Sequence, residues 1–236
     1  MNLPIHEPKP KLNGLIKLKK EPPRLIPIVL YDEIDIESWD RKEHYHFFKD
    51  FELPFFNIVG EVDATRLYEY AKDSGKSFSL CYLYYSLTVV NNISAFRNRI
   101  MDNRLVNYHT INGSSTALKK NNTFQYCYFD FKTQLDTFHE GARENIQKQL
   151  KQEGLLLSSR LDMVYYSIIP WVSFTSFQHA RAVGGFDSIP RIVFGKSKKN
   201  NGRHIMPVSV EVNHALLDGV HVGQFFEEFS QIIGAL

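Results

Sequence analysis

The sequence predicts an α/β protein, a two-layer α+β sandwich in which helices cover one large, mixed, mostly antiparallel sheet. Three observations support this fold class. Helical and strand-like periodicities are interleaved along the chain, and strand-like segments dominate its second half. The 236 residues are 43% hydrophobic, which suits one domain with a full core. The aromatic content of 14% favours pockets and interfaces built from rings.

Each predicted element rests on its periodicity and its end signals. After the strand at 55–63, Asp63 is the expected cap of a helix that Gly75 closes. Ser77 or Ser79 is expected to open the next helix. The predicted strands are 27–31, 55–63, 104–111, 122–131, 163–177, 190–196 and 206–215; the predicted helices are 39–48 (short or irregular), 64–75, 77–92, 136–150 and 220–233.

Residues 1–28 are predicted to form an N-terminal extension, and residues 29–236 a single domain. The extension carries six of the 28 basic residues, two of the 26 acidic ones and six of the ten prolines. Such a segment cannot bury enough apolar surface to fold alone, so we expect it to be disordered or draped on the domain. It lacks the Arg- and Ser-rich pattern of a transit peptide and the apolar core of a signal peptide.

Composition also excludes several classes of partner. The net charge of +2 is too small for a nucleic-acid binder, and no apolar run reaches membrane-spanning length. Cys81 and Cys127 sit among aromatic neighbours, so we expect buried free thiols and a cytoplasmic protein. His44 and His46 would share one face of a strand but lack further ligands, which predicts no metal site.

Two glycine-containing segments are candidates for phosphate-binding loops; the first is excluded, and the second is more typical of a hairpin turn. The run AVGGFDSIP (182–190) lacks both the Lys-Ser/Thr pair and the helix that a phosphate-binding loop requires. The basic run GKSKKNNGR (195–203) reads first as a hairpin turn and only second as a phosphate-binding loop.

The strongest candidate for chemistry is His214, in the segment SVEVNHALLDGVHVGQFFEEF (209–229). Strand periodicity places it on the apolar face with Val208, Val210 and Val212, where desolvation would keep the imidazole neutral, as a general base requires. A satisfied core histidine is the plainer alternative. Asp218 could cap the following helix, or it could bind a distant arginine and hold the loop so that His214 is aimed.

Three ordered blocks resemble the chloramphenicol acetyltransferase family. They are VNHALLDGVHVGQFF with its His-x-x-x-Asp-Gly element, SIIPWVSFTSF (167–177) and WDRKEHYHFF (39–48). The resemblance covers roughly residue 30 to the end. It implies a two-layer α/β subunit, a trimer with active sites between subunits, and acetyl-CoA as the acyl donor.

The resemblance also implies a role for four residues. His214 matches the base that removes a proton from the acceptor hydroxyl, with no covalent acyl-enzyme. Ser167 matches the serine that donates a hydrogen bond to the oxyanion of the tetrahedral intermediate. Asp218 and Arg41 match a salt bridge that holds the histidine loop in place. Of the two roles considered for Asp218, the resemblance therefore favours orienting the loop, with helix capping possible alongside.

Five further positions concern the pocket or depart from the family pattern. Phe48, Trp171 and Val193 are expected at the substrate pocket. Val193 stands where the family usually has a threonine, and Asn213 replaces the first histidine of a usual pair. Strand parity puts Asn213 on the face opposite the base. Ser197 replaces a tyrosine that usually lies near the CoA path.

These observations predict a trimeric, CoA-dependent O-acetyltransferase with chloramphenicol as the leading acceptor. One alternative is an acyltransferase for a different alcohol or amine. The dihydrolipoyl acyltransferase core carries the same signature, but no lipoyl domain or long Ala/Pro linker precedes the domain here. A non-enzymatic alternative is a catalytically silent trimer that only binds ligands. Against it stands the presence of all four matched residues, His214, Ser167, Arg41 and Asp218.

Overall fold

Two β-sheets and five α-helices make up the part of the chain that the computed structural model describes, residues 30–181 and 187–236. The predicted extension, 1–28, lies outside this part, as do 27–29 of the first predicted strand and 182–186 of the run AVGGFDSIP. The strands are β1 (Tyr31–Glu33), β2 (Phe55–Asp63), β3 (Asn98–Met101), β4 (Arg104–Tyr108), β5 (Asn112–Leu118), β6 (Phe124–Phe129), β7 (Met163–Ile169), β8 (Arg191–Gly195), β9 (Lys198–Asn200) and β10 (Arg203–Asn213). The helices are α1 (Lys42–Phe48), α2 (Thr65–Asp73), α3 (Phe78–Asn92), α4 (Leu135–Leu150) and α5 (Gly219–Gly234).

The larger sheet has seven strands in the order β2-β10-β8-β7-β5-β6, with β9 paired to the first residues of β10. Among the strands of the described residues, only the β5–β7 and β7–β8 pairs are parallel. The predicted mixed, mostly antiparallel sheet is therefore confirmed. A separate three-stranded antiparallel sheet has the order β1-β4-β3.

The differences between predicted and observed strands have local causes. The strand predicted at 163–177 ends at Ile169, because Pro170 has no N–H to continue the ladder. Strand β5 has the sequence NGSSTAL, which carries no apolar alternation; it is a strand because β6 and β7 pair with its two sides. The basic run at 195–203 is a hairpin, and Asn201 and Gly202 take the positive φ angles that such a tight turn requires.

Helices α2 to α5 pack on one face of the large sheet. Strand β10 shows how the sequence chooses that face, because residues two apart point to the same side. Val208, Val210 and Val212 are fully buried in the core cluster under the helices. Ser209, Glu211 and Asn213 face the other side, as their spacing predicts.

The face opposite the helices carries a network of charged side chains. Arg181 binds Glu211 and Asp187, and Arg191 binds the same Asp187 carboxylate. Burial by itself would raise the pKa of Glu211, but the charge of Arg181 and the hydrogen bond that Arg181 donates at 2.6 Å outweigh it, so this pKa lies below its usual value. The Glu211 carboxylate therefore stays ionised at neutral pH.

Arg99 joins the small sheet to the large one. Its side chain is fully buried, and its guanidinium donates to the carbonyl oxygens of Phe96, Asn98, Leu161 and Met163 at 2.6–2.8 Å. Burial lowers the pKa of Arg99 to about 10, so the group remains charged at neutral pH. One cation thus serves carbonyl groups from two separate chain segments.

We predict that Arg99→Met lowers the free energy of unfolding by about 3–5 kcal/mol, because the buried carbonyls lose their donor. Chemical denaturation monitored by circular dichroism measures this. Arg104→Met is the matched control: Arg104 lies on the neighbouring strand and only approaches the exposed Glu33 at 3.6 Å, so its change should stay below about 0.5 kcal/mol. Equal losses in the two variants would contradict the assignment.

Candidate active site

His214 lies immediately after β10, where its backbone N–H donates to the Pro54 carbonyl at 2.6 Å. Its ring stacks on Phe48 with centroids 4.1 Å apart and an interplanar angle of 9°, and it leans on Phe56 at 4.6 Å. About a third of the side chain, 34%, is exposed. The ring is therefore held between aromatic walls while one edge remains accessible.

The tautomer of His214 follows from its hydrogen bonds. Nδ1 lies 3.2 Å from the Leu217 carbonyl oxygen and 3.2 Å from Asp218 Oδ1. Both oxygens only accept, so Nδ1 carries the proton and donates it. The lone pair of the neutral ring is then on Nε2, which is the atom that a general base needs.

Arg41 and Asp218 form a two-point ion pair beside this ring. Arg41 Nη1 binds Asp218 Oδ2, and Nη2 donates to Asp218 Oδ1 at 3.2 Å. The same Nη2 donates to the His214 carbonyl oxygen at 3.2 Å. Burial would raise the pKa of Asp218, but the hydrogen bond and charge of Arg41 hold this pKa below its usual value. The pair thus ties both ends of the loop 214–218 to the start of α1.

Asn213 fixes the start of the same loop. Its side-chain Oδ1 accepts from the Ala215 N–H at 2.9 Å, and its backbone carbonyl accepts from Leu216 and Leu217. Its side-chain amide donates to the Asp187 carbonyl oxygen at 3.2 Å, on the face opposite the helices. Asn213 therefore holds the turn that carries His214.

Ser167 lies elsewhere, in a cavity of about 490 Å³ on the face opposite the helices. Four tyrosines, several hydroxyl side chains and two basic residues line this cavity. The tyrosines are Tyr126, Tyr128, Tyr165 and Tyr166, and the basic residues are His179 and Arg191. The cavity therefore combines flat apolar surface with many hydrogen-bonding groups.

Within one chain, Ser167 and His214 are too far apart to act on the same reacting group. Ser167 pairs with Val193, which pairs in turn with Ser209. His214 is five residues beyond Ser209, or about 17 Å along the strand, and β7 is two strands, or about 10 Å, from β10. The two backbone positions are therefore about 20 Å apart.

The remaining predicted residues occupy distinct positions. Phe48 contacts the imidazole directly. Val193 is fully buried between Ser167 and Ser209, whereas Trp171 is 62% exposed just after β7. Ser197 lies in the loop between β8 and β9, where its Oγ approaches His204 Nδ1 at 3.5 Å.

The interpretation of His44 and His46 as neighbours on a strand is wrong, because the segment is helix α1. Residues two apart on a helix point to different sides. In the two described stretches, no group of three or more His, Cys, Asp or Glu side chains is placed to hold a metal ion. Cys81 and Cys127 are buried free thiols, as predicted.

Several site residues had no recognisable signal in the sequence. The Leu217 carbonyl is a backbone group, and Phe56 belongs to an ordinary strand pattern in β2. His221, whose Nδ1 accepts from the Asp218 N–H at 2.9 Å, lay inside the signature, but no role was predicted for it.

The comparison with known proteins decides the family. The sequence profile described as "Chloramphenicol acetyltransferase" matches residues 29–230. The chain belongs to the chloramphenicol acetyltransferase family. The predicted family, with its α/β fold and its acyltransferase class, is thereby confirmed.

Individual members of the chloramphenicol acetyltransferase family agree with this. The chloramphenicol acetyltransferase of Proteus mirabilis is 28% identical over 200 residues, which cover 84% of this chain and 92% of the relative. A solved chloramphenicol acetyltransferase structure superposes with a TM-score of 0.82 at 30% identity, covering 86% of this chain and all of its own. A probable dihydrolipoamide acetyltransferase of Listeria monocytogenes, with a TM-score of 0.56 and 15% identity, covers 82% of this chain and 89% of its own and shares the fold alone.

Throughout the two described stretches, none of the helices combines the length and apolar content needed to cross a lipid bilayer.

We predict that Asp218→Asn lowers kcat roughly 10- to 100-fold with unchanged circular dichroism. The substitution weakens the ion pair that orients the His214 ring but leaves the imidazole itself in place. The variant should also lose an acid-sensitive part of its stability. A carboxyl whose folded pKa is lowered stabilises the fold above its ordinary pKa of 3.8, and this contribution disappears as pH falls through the lowered value.

Asp136→Asn is the matched control for this experiment. It removes an exposed carboxylate that binds Lys76 at 2.9 Å at the start of α4, away from the loop. Its kcat should equal that of the wild type. Full activity of Asp218→Asn would overturn the orienting role of the ion pair.

Proposed function

We propose that this protein transfers the acetyl group of acetyl-CoA to a hydroxyl of a small molecule, with chloramphenicol as the leading acceptor. The observation that carries the proposal is the environment of the His214 ring. Its Nδ1 is hydrogen-bonded to the Leu217 carbonyl, and one edge of the ring is accessible. Family membership supplies the reaction class, and the names of the relatives supply the acceptor.

The chemistry follows from one proton and one acyl group. Nε2 of His214 takes the proton of the acceptor hydroxyl as the oxygen attacks the thioester carbonyl carbon, since a free alcohol is a poor nucleophile. The resulting oxyanion accepts a hydrogen bond from the Ser167 hydroxyl, a contribution of about 2–4 kcal/mol to the transition state. The carbon–sulfur bond then breaks, and the CoA sulfur takes the proton back from His214.

The separation of the two groups supports a homotrimer with active sites between subunits. A hydrogen bond requires donor and acceptor about 3 Å apart, whereas Ser167 and His214 of one chain are about 20 Å apart. A neighbouring copy is therefore needed to bring its Ser167 to the first copy's His214. Exposed Phe47 and Phe51 pack against Phe48, the ring that stacks on His214, and they offer apolar surface for such a contact.

The compartment proposed for this reaction is the cytoplasm. Cys81 and Cys127 are both buried and unpaired, and thiols persist in this form in a reducing compartment.

A second acceptor class has its own support in the cavity beside Ser167. The cavity walls carry the hydroxyls of Ser114, Ser115, Thr116 and Ser158, and the two basic residues named above. A site this rich in donors favours an acceptor with several oxygen atoms, because buried polar groups must find partners. A polar alcohol other than chloramphenicol is thus the alternative substrate.

We predict that His214→Ala and Ser167→Ala each remove most activity, by several orders of magnitude and by about 30- to 1000-fold respectively. Co-expression of the two variants should restore part of it. In a mixed trimer, which holds two copies of one variant and one of the other, about a third of the interfaces combine an intact His214 from one copy with an intact Ser167 from the next. Thiol release from acetyl-CoA by purified mixed trimers measures the recovery.

The control is each variant purified alone and mixed without subunit exchange, which should stay inactive. No recovery in verified mixed trimers would show that one subunit contains its whole site. A wild-type rate in His214→Ala alone would remove the general base from the mechanism.

We predict that wild-type protein releases CoA thiol with chloramphenicol as acceptor and forms its acetyl ester. Mass spectrometry of the product, with a panel of polyhydroxylated alcohols tested in parallel, identifies the acceptor. If a polyol is acetylated and chloramphenicol is not, the alternative substrate is favoured. If no acceptor is acetylated but calorimetry shows that the protein binds CoA, a catalytically silent binding protein is favoured.

A further inference from the structure

His221 makes a hydrogen bond that depends on the protonation state of its ring. It is the third residue of α5, and its Nδ1 accepts from the backbone N–H of Asp218 at 2.9 Å. A side chain at this helical position that reaches back to the cap amide forms one half of a capping box, a place usually taken by Glu or Gln. Here an imidazole occupies it.

The bond defines the tautomer of His221. A backbone N–H only donates, so Nδ1 must be unprotonated and the proton of the neutral ring is on Nε2. His214 has the opposite arrangement, with its proton on Nδ1 and its lone pair on Nε2. Two histidines seven residues apart are therefore held in opposite tautomers, each by a backbone group of the same loop.

Asp218 contacts both imidazole rings, one through its side chain and the other through its backbone N–H. The carboxylate of Asp218 binds Arg41 and lies 3.2 Å from His214 Nδ1, while its backbone N–H is held by His221. A proton on His221 Nδ1 would remove the acceptor and place a donor against a donor. The N-terminal end of α5 would then lose the contact that fixes Asp218.

We propose that His221 is a positioning residue for catalysis, whose neutral ring fixes Asp218 and through it the aim of His214, so that protonation of His221 switches the site off. This inference rests on the proposed acetyl transfer, because activity is its main readout.

Burial and the neighbouring charged groups together favour the neutral form of the His221 ring at neutral pH. Burial lowers the pKa of His221, and the nearby Arg41 cation lowers it further, while the Asp218 carboxylate acts in the opposite direction. The net pKa lies below the ordinary histidine value of 6.5. The hydrogen bond is therefore intact at neutral pH and is lost as pH falls through this lowered value.

The test compares pH profiles of kcat/KM for the wild type, His221→Gln and His221→Ala. In the wild type, two protons inactivate the enzyme, one on His214 and one on His221, so the acid limb steepens toward a slope of 2. His221→Gln keeps an acceptor that does not titrate, so its kcat at neutral pH should stay near the wild-type value and its acid limb should keep a slope of 1. His221→Ala should lose about tenfold in kcat at neutral pH, the change that about 1.4 kcal/mol of lost orientation produces, and its acid limb should also have a slope of 1 because residue 221 no longer titrates.

His139→Gln is the matched control. His139 Nε2 accepts from the Ser77 backbone N–H at 2.9 Å at the start of α3, so it makes the same kind of bond away from the site. Burial lowers the pKa of His139 as well. Its replacement should leave the acid limb of kcat/KM unchanged, which separates a positioning effect from the general loss of an imidazole.

Three results would overturn the proposal: an unchanged acid limb in His221→Gln, full activity of His221→Ala, or a wild-type limb with a slope of 1 throughout. If His221→Ala does not fold, the Gln variant decides.

Imidazole ¹⁵N NMR gives a readout independent of activity: it should show protonated Nε2 in His221 and protonated Nδ1 in His214. If the wild type transfers no acetyl group but shows these tautomers, the proposed function fails while the hydrogen-bond assignment stands; a protonated Nδ1 in His221 at neutral pH removes the assignment itself.

Discussion

The hydrogen bond from His214 Nδ1 to the Leu217 carbonyl is the interaction on which the site depends. Acetyl transfer by general-base catalysis requires a lone pair on the accessible edge of the ring, and a ring free to flip would present it only part of the time. The loop 214–218 removes that freedom by placing a carbonyl and a carboxylate oxygen against the same nitrogen. Phe48 and Phe56 add the walls that keep the ring in this plane.

Much of the surrounding structure holds this loop. Asn213 closes its start, Arg41 joins its end to the segment before α1, and His221 holds the Asp218 amide at the first turn of α5. These contacts come from three separate elements. The loop is therefore positioned by several independent bonds, each modest in energy.

The large sheet separates the two residues to which catalytic roles are proposed, His214 and Ser167. Its helix-covered face is apolar and supplies the core, whereas the opposite face carries Ser167, the cavity and the network around Glu211 and Asp187. Asn213 is bonded to the Asp187 carbonyl, so the histidine loop is anchored to the polar face although His214 itself projects elsewhere. A single subunit therefore holds the proposed base and the proposed oxyanion donor at separate places, which is why the proposed reaction calls for association of copies.

The sequence by itself determined the fold class, most element positions and the identity of the candidate residues, because these depend on local signals. The alternation in β10 set which side chains face the core, and the blocks around His214, Ser167 and Arg41 revealed the family. It did not identify β5, whose NGSSTAL sequence is a strand only because two neighbours pair with it.

Only the tertiary structure decided how those residues relate in space. Sequence parity placed His214 on an apolar face, but not the backbone carbonyl that sets its tautomer or the role of His221, since both depend on how the chain turns after β10. The distance between Ser167 and His214 likewise follows from strand order and register, which are non-local: strands β7 and β10 meet only through β8, and no pattern within either strand encodes that arrangement.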